Sequence, residues 1–299
     1  MTATLSNAPP PAAVQQADQR LQAEGGAVLR ADWRDAAFLH FRVDPAALQP
    51  LVPFALDLRD GLAYVSLVAF TQRRLRPKVA GRLAALLCRP LADHAFLNLR
   101  TYVRVHDEPG IYFLAEWIPN ALAAYLGPRL YGLPYRLAQV RYDIDAAAYR
   151  GDIREGADGL SFSADISAAP AAPSDKAPAA DDPETEFLLE RYSAFTLCRG
   201  ITRRFRILHT PWPRVPITAT FDDLSLLRRQ GDWTHALEFC CAHYSPGVSD
   251  VEIGRPVKLC IPTASCSAEI PEALPLFPPL PVLRERVGVR ALRRAPEDF

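Results

Sequence analysis

"FLNLRTYVRVHDEPGIYFLAEWI", residues 96–118, is the stretch that decides the fold. In its first half Leu97, Leu99, Thr101, Val103 and Val105 alternate with Asn98, Arg100, Tyr102 and Arg104, the two-residue period of a strand with unlike faces. "HDEPG" (106–110) is turn chemistry, and "GIYFLAEWI" (110–118) is the natural antiparallel partner. A turn that sets Val105 opposite Ile111 places Arg100 opposite Glu116. Asn98, Arg100, Tyr102, Tyr112 and Glu116 then share one face, and moving the pairing by two keeps that face. If the face is interior, Arg100 is a buried guanidinium held by Glu116, with donors to spare for a ligand carboxylate. The alternative is a purely structural ion pair.

The pattern on either side is mostly strand. "GLAYVSLVAF" (61–70) is apolar on both alternate faces and reads as an interior strand. Further strands are expected in 199–209, 215–221 and 234–244. Helices are fewer. "DPAALQPLV" opens with Asp44 as cap and Pro45 in the first turn. "NALAAYLGPRLYG" starts at Asn120 and runs to Gly132, with Pro128 expected to bend or break it. "DPETEFLLERYSAF" (182–195) begins on an acidic turn. The sum is a β-rich α+β domain.

Composition excludes several classes of function. The 299 residues carry 34 Lys plus Arg against 34 Asp plus Glu, so no overall field draws nucleic acid or anionic membrane. The N-terminus has no apolar run of the signal-peptide kind, and apolar stretches elsewhere are broken by charge or proline, so a soluble cytoplasmic protein is expected. Six cysteines in a chain this long read as reduced thiols. The tightest metal-like group is Cys240, Cys241 and His243, where a strand turns Cys240 away from the other two; with neither CxxC nor HExxH, no metal is assigned. No phosphate-cradling glycine loop, dinucleotide fingerprint or serine nucleophile elbow appears, so no cofactor is implied. Residues 1–26 read as a disordered tail, 27–266 as one domain with a Pro/Ala-rich surface loop at 167–183, and 267–299 as a proline-rich then basic tail.

Several stretches in order carry a resemblance: "WRDAAFLHFRVDPAALQPLVPFAL", "FLNLRTYVR" with "PGIYFLAEW", "YGLPYRLA", "FLLERYSAF" and "HTPWP". Together they are similar to the YqjF-like conserved proteins of the acetoacetate-decarboxylase-like superfamily, from about Trp33 to His243. The resemblance implies a curved antiparallel sheet closing into a cone-shaped barrel, with a binding cavity inside and a few helices at the rim. It implies no particular reaction. In the decarboxylase a proline seven residues after a glycine, here Gly127 and Pro134, precedes two lysines; the first forms a Schiff base and the second lowers its pKa. Tyr135 and Arg136 stand at those positions, and a phenol forms no imine. The enzyme's strand carboxylate is matched here by Phe96 or Asn98. Schiff-base decarboxylation is therefore not expected, and the available lysines, Lys78, Lys176 and Lys258, lie in no matching motif.

The candidate site follows. Arg100 orients an organic acid or carbonyl compound, with Asn98, Tyr102, Arg136 and His40 as further ligand contacts; Glu116 and Tyr135 are the candidate catalytic pair. His40 equally suits a hydrogen-bonded core histidine, His209 a rigid turn, and Glu190, Arg191 and Tyr192 a helix-to-barrel salt bridge. Three uses fit this scaffold: a lyase or isomerase working without an imine, a non-catalytic ligand binder, or a structural protein with a filled interior, in each case with oligomerisation open.

Overall fold

The computed structural model describes residues 11–78, 86, 88–168 and 182–259. Among them the strands are β1 Ala27–Val43, β2 Ala55–Leu56, β3 Ala63–Pro77, β4 His94–Val105, β5 Glu108–Ile118, β6 Tyr135–Leu137 and β7 Gln139–Ile144. They continue as β8 Ala148–Glu155, β9 Asp158–Asp165, β10 Ser193–Cys198, β11 Ile201–Leu208, β12 Val215–Asp223, β13 Glu238–Gly254 and β14 Val257–Lys258. The α-helices are α1 Ala12–Ala23, α2 Pro45–Leu48, α3 Ala121–Leu130, α4 Pro183–Leu189 and α5 Ser225–Arg228. The protein is β-rich with few helices, as expected.

The β4–β5 hairpin forms, with a tighter turn than "HDEPG" suggested. His106 and Asp107 both have positive φ, 47° and 63°, as a two-residue hairpin turn requires. Val105 therefore pairs with Glu108 rather than Ile111. A bulge between Leu99 and Arg100 then leaves Leu114 extra, so Asn98 faces Glu116 while Arg100 faces Phe113. The slip changes one face assignment: Tyr112 pairs with Thr101 and its ring packs on Phe54, away from Arg100. Ile111 and Phe113 take its place beside the guanidinium.

Seven strands close a ring, β1–β3–β4–β5–β10–β11–β13, because β11 meets β13 at Ile207↔Ile253 and Leu208↔Glu252 while β13 also pairs with β1. From β13 the sheet continues through β12, β9, β8 and β7. It is curved but mixed: β5 is parallel to both β6 and β10, whereas an antiparallel sheet was expected. Each parallel partner follows a crossover that contains a helix, α3 before β6 and α4 before β10, which is the connection parallel pairing needs. Residues 63–70 of β3 are buried on both faces, as their continuous apolar run predicts.

Local chemistry sets the helix starts. The Asp44 side chain accepts from the Ala46 amide at 2.9 Å, and the Asn120 side chain from Ala123 at 3.0 Å. α3 runs through Pro128 to Leu130 without breaking, since a proline late in so short a helix forfeits a single backbone bond. α4 stops at Leu189, so "SAF" opens β10 instead of extending the helix. The N-terminal tail is also corrected: Ala12–Ala23 is helical, Leu21 is fully buried, and Glu24 accepts from Arg204 and Arg206 of β11. Most of the 167–183 loop and all of 267–299 lie outside the described residues.

Candidate functional site

The inner faces of the ring strands and the underside of α3 enclose a cavity of about 200 Å³. One water needs roughly 10–15 Å³ on the same measure, so a small organic molecule fits. Most of the wall is apolar, contributed by Phe38, Phe70, Phe96, Phe113 and Phe205 together with Trp33 stacked on Trp212. Against it stand a few polar groups: Asn98, Arg100, Glu116 and Tyr135 from the sequence reading, and His94, Arg191 and His209 beside them.

Arg100 is 8% exposed and its Nη2 donates to the Leu188 carbonyl at 3.1 Å. Its guanidinium carbon sits 5.6 Å from the Phe38 ring centroid. Nε has no hydrogen-bond partner, and among the described residues no carboxylate lies within 4.0 Å of the guanidinium. Glu116 thus does not hold Arg100. The bulge in β5 is the reason, because it puts Asn98 instead of Arg100 across from Glu116. A buried cation without a counter-ion is costly, and an anionic ligand would supply the missing charge.

Glu116 is 3% exposed; burial pushes its carboxyl well above the usual carboxylate range, and a hydrogen bond from Asn98 pulls only weakly the other way. Glu116 Oε2 and Asn98 Oδ1 have no partners. Tyr135 is paired with Glu116 across the parallel β5–β6 contact. Burial raises the Tyr135 phenol well above 10, followed by the negative charges of Glu116 and Tyr131. Its ring is T-shaped to Phe96 at 5.8 Å. Gly127 makes room for it: a Cβ there would stand 2.3 Å from Tyr135 Cδ2 and Cε2. The spacing of Gly127 and Pro134 therefore has a physical meaning, with the glycine of α3 admitting the side chain that follows the proline.

The other expected contacts lie off the cavity. Arg136, next along β6, points the opposite way; it is over one-third exposed and 3.9 Å from Glu155. Tyr102 is a strut, donating to Leu188 O at 2.9 Å with Ser66 Oγ at 2.6 Å. His40 is fully buried with Nδ1 2.7 Å from Ser66 Oγ, the core-histidine arrangement.

Three cavity residues escaped the sequence reading as site groups. His94 lines the wall, and burial lowers its imidazole to about 4. His209 Nδ1 donates to the Thr210 carbonyl at 2.7 Å, and burial lowers its imidazole below the ordinary 6.5. Arg191 is anchored by Asp57 at 2.7 Å, and Glu190 by Arg214 at 3.3 Å, so the "ERY" element makes a pair of salt bridges from the α4 end to the residues just after β2 and just before β12. No lysine is among the residues lining the cavity; Lys78 is ion-paired to Glu252. Among the described residues no helix is long and apolar enough to cross a membrane.

A profile of the DUF2071 uncharacterized conserved proteins matches residues 30–249. The chain belongs to this family. A member from Bacillus subtilis (strain 168), uncharacterized protein YqjF, is 30% identical over 192 residues, 62% of this chain and 74% of that one. Solved structures share the fold at low identity. Acetoacetate decarboxylase from Legionella pneumophila superposes with a TM-score of 0.55 at 12% identity, covering 79% of this chain and 88% of that one. An acetoacetate decarboxylase-like enzyme from Sphingomonas wittichii RW1 gives 0.53 at 15% identity, covering 78% and 93%. The enduracididine biosynthesis enzyme MppR, solved with pyruvate, gives 0.51 at 12% identity, covering 85% and 92%. This chain thus carries an acetoacetate-decarboxylase-like fold, with a tyrosine after Pro134.

Proposed function

We propose that the cavity binds a small oxo acid and moves a proton on it without forming an imine, as an isomerase or lyase does. One observation carries this reading: Arg100 is buried in the cavity wall with no carboxylate partner. A ligand carboxylate supplies that counter-charge through charge-assisted hydrogen bonds. The carbonyl end of the ligand then reaches toward Glu116 and Tyr135. Ionised Glu116 takes a proton from the carbon next to the carbonyl, and the enolate oxygen accepts a hydrogen bond from the Tyr135 hydroxyl. With an unsaturated oxo acid, return of that proton to the far carbon of the conjugated enolate shifts the double bond and completes an isomerisation; with a leaving group on the carbon next to the deprotonated one, collapse of the enolate forms a C=C bond as that group departs with its bonding pair, completing an elimination. The raised pKa of Glu116 suits the task, because a carboxylate made more basic by burial is a stronger proton acceptor than a solvated one and readily returns the proton. Pyruvate in MppR, a protein of the same fold, supports ligands of this class.

The test is a thermal-shift screen of small oxo acids, simple carboxylates and neutral carbonyl compounds on the parent and on Arg100→Ala, since a ligand bound to the native state raises its melting temperature. Oxo acids stabilise the parent and lose that effect in the variant. Hits that survive the substitution refute the anchor. Solvent deuterium exchange at the carbon beside the carbonyl then separates catalysis from binding, and binding without exchange favours a non-catalytic binder in which protonated Glu116 is only a hydrogen-bond donor.

A further inference from the structure

Away from the cavity, His40, Cys241 and His243 bring one ligand atom each to within 4.8 Å of one another, and among the described residues they form the one such group of three. The backbone explains the convergence. Cys241 and His243 are two apart on β13 and share a face, and His40 of β1 pairs directly with Cys241. The sequence shows the Cys-x-His pair; the third member comes from a strand two hundred residues earlier, which spacing along the chain does not reveal.

Counting protons fixes which nitrogens are free. The Tyr102 hydroxyl spends its proton on Leu188 O, so Ser66 donates to Tyr102 and accepts from His40 Nδ1–H. His40 Nε2 is then a bare lone pair, and it is buried without a partner. An independent network does the same for the second imidazole. The Thr185 hydroxyl donates to Asp182 at 2.6 Å, so it accepts from His243 Nε2–H at 3.3 Å. His243 Nδ1 is left bare, again buried and unpartnered. Two separate hydroxyl relays thus orient two histidines so that their unprotonated nitrogens meet beside one thiol. Metal-ligating histidines are held in this way, with the second ring nitrogen donating to an oxygen that is itself held in place.

From this juxtaposition we propose a zinc-class metal site with His40 Nε2, Cys241 Sγ and His243 Nδ1 as its protein ligands. Nitrogen and thiolate donors together select a borderline-soft ion. Tetrahedral bonds of about 2.0–2.3 Å place donors roughly 3.3–3.8 Å apart, so the trio contracts by about 1 Å on binding. The Cys241 thiol gives its proton to solvent as the metal–sulfur bond forms. Cys240 is not turned away as plain alternation implied: a bulge in β13 leaves its Sγ 3.8 Å from Cys241 Sγ, but its thiol donates to the His40 carbonyl at 3.3 Å and is not one of the three ligands, leaving a fourth position for water or a ligand. Cys241 is only half-buried, which gives the ion a way in.

The experiment titrates chelator-treated full-length protein with Zn²⁺ alone, and with Co²⁺ as a spectroscopic probe. The site predicts one equivalent bound after dialysis and a thiolate-to-cobalt charge-transfer band. Cys241→Ser removes the band and weakens Zn²⁺ binding by roughly tenfold or more, and Cys240→Ser binds as the parent does. Thr185→Val, which removes the hydroxyl linking His243 to Asp182 but none of the proposed ligands, keeps the band and weakens binding by about 10–100-fold. Absence of the band from the parent overturns the site without recourse to any variant. Binding that survives Cys241→Ser overturns it too, placing the metal elsewhere, for example on Cys260 and Cys266.

Discussion

Replacing Glu116 by glutamine keeps the shape of a side chain that is 3% exposed and removes its ionisation. Burial raises this carboxyl well above 4.5 in the folded protein, whereas in the unfolded chain it titrates near the ordinary value. Below about pH 4.5 both states hold the proton and the group adds no pH dependence. Above it the unfolded chain releases the proton and the native state keeps it, so native stability falls as pH rises, until Glu116 ionises in the fold. The slope within that window is about 1.4 kcal/mol per pH unit, a loss that Glu116→Gln does not share. Urea melts of both proteins at successive pH values from about 4.5 upward read this directly as a gap that widens in favour of the variant. A gap that stays constant across those values would mean that Glu116 is ionised throughout, and the proton-transfer role would fall with it.

Four further outcomes follow from the same geometry. Gly127→Ala drives a methyl to 2.3 Å from the Tyr135 ring, so despite a gain in helix propensity of about 1 kcal/mol it destabilises by a net 1–2 kcal/mol, on the order expected for overpacking, and weakens oxo-acid shifts; an unchanged melting temperature would show the ring to be free to move. Asp57→Asn strips the buried Arg191 of its partner and costs about 3–5 kcal/mol in chemical denaturation, where a loss under 1 kcal/mol would mark the pair as incidental. His94, lowered by burial to about 4, stays neutral in the fold while the unfolded chain takes up a proton below about 6.5; stability therefore falls by up to about 3 kcal/mol between those values, and His94→Leu flattens that limb of the pH profile. Borohydride treatment with an oxo acid leaves every lysine unmodified by mass spectrometry; an adduct on any of Lys78, Lys176 or Lys258 would restore the imine that the proposal excludes.

The strand pattern around Arg100 was legible because alternation survives translation into three dimensions. Asn98, Arg100 and Glu116 line the cavity as their shared face implied. Register was not legible. The two-residue turn at His106 and Asp107 and the extra Leu114 depend on backbone dihedrals that "HDEPG" does not encode uniquely, and they separated Arg100 from Glu116 and sent Tyr112 to the other face. Tyr135 and Arg136 are adjacent in a strand, so only one can face inward; that alternation alone could have removed Arg136. Nothing in 139–165 announces three strands, because β7 alternates half-buried with exposed positions and offers no strong apolar face. α1 was hidden by its Ala/Gln composition, since two buried residues, Ala17 and Leu21, are enough to seat it on β11. His94 continues the Phe96, Asn98, Arg100 alternation but lies before the strand start read at 96, whereas His209 carries no periodic signal and became a site residue through ring closure.

The most direct measurement is a crystal structure of the protein soaked with the strongest-binding small oxo acid from the screen. The proposal requires the acid's carboxylate on the Arg100 guanidinium, its carbonyl end facing Glu116 and Tyr135, and no continuous density to any lysine. A ligand seated anywhere else, or an Arg100 side chain turned to pair with Glu116 while the cavity stays filled with solvent, would contradict it.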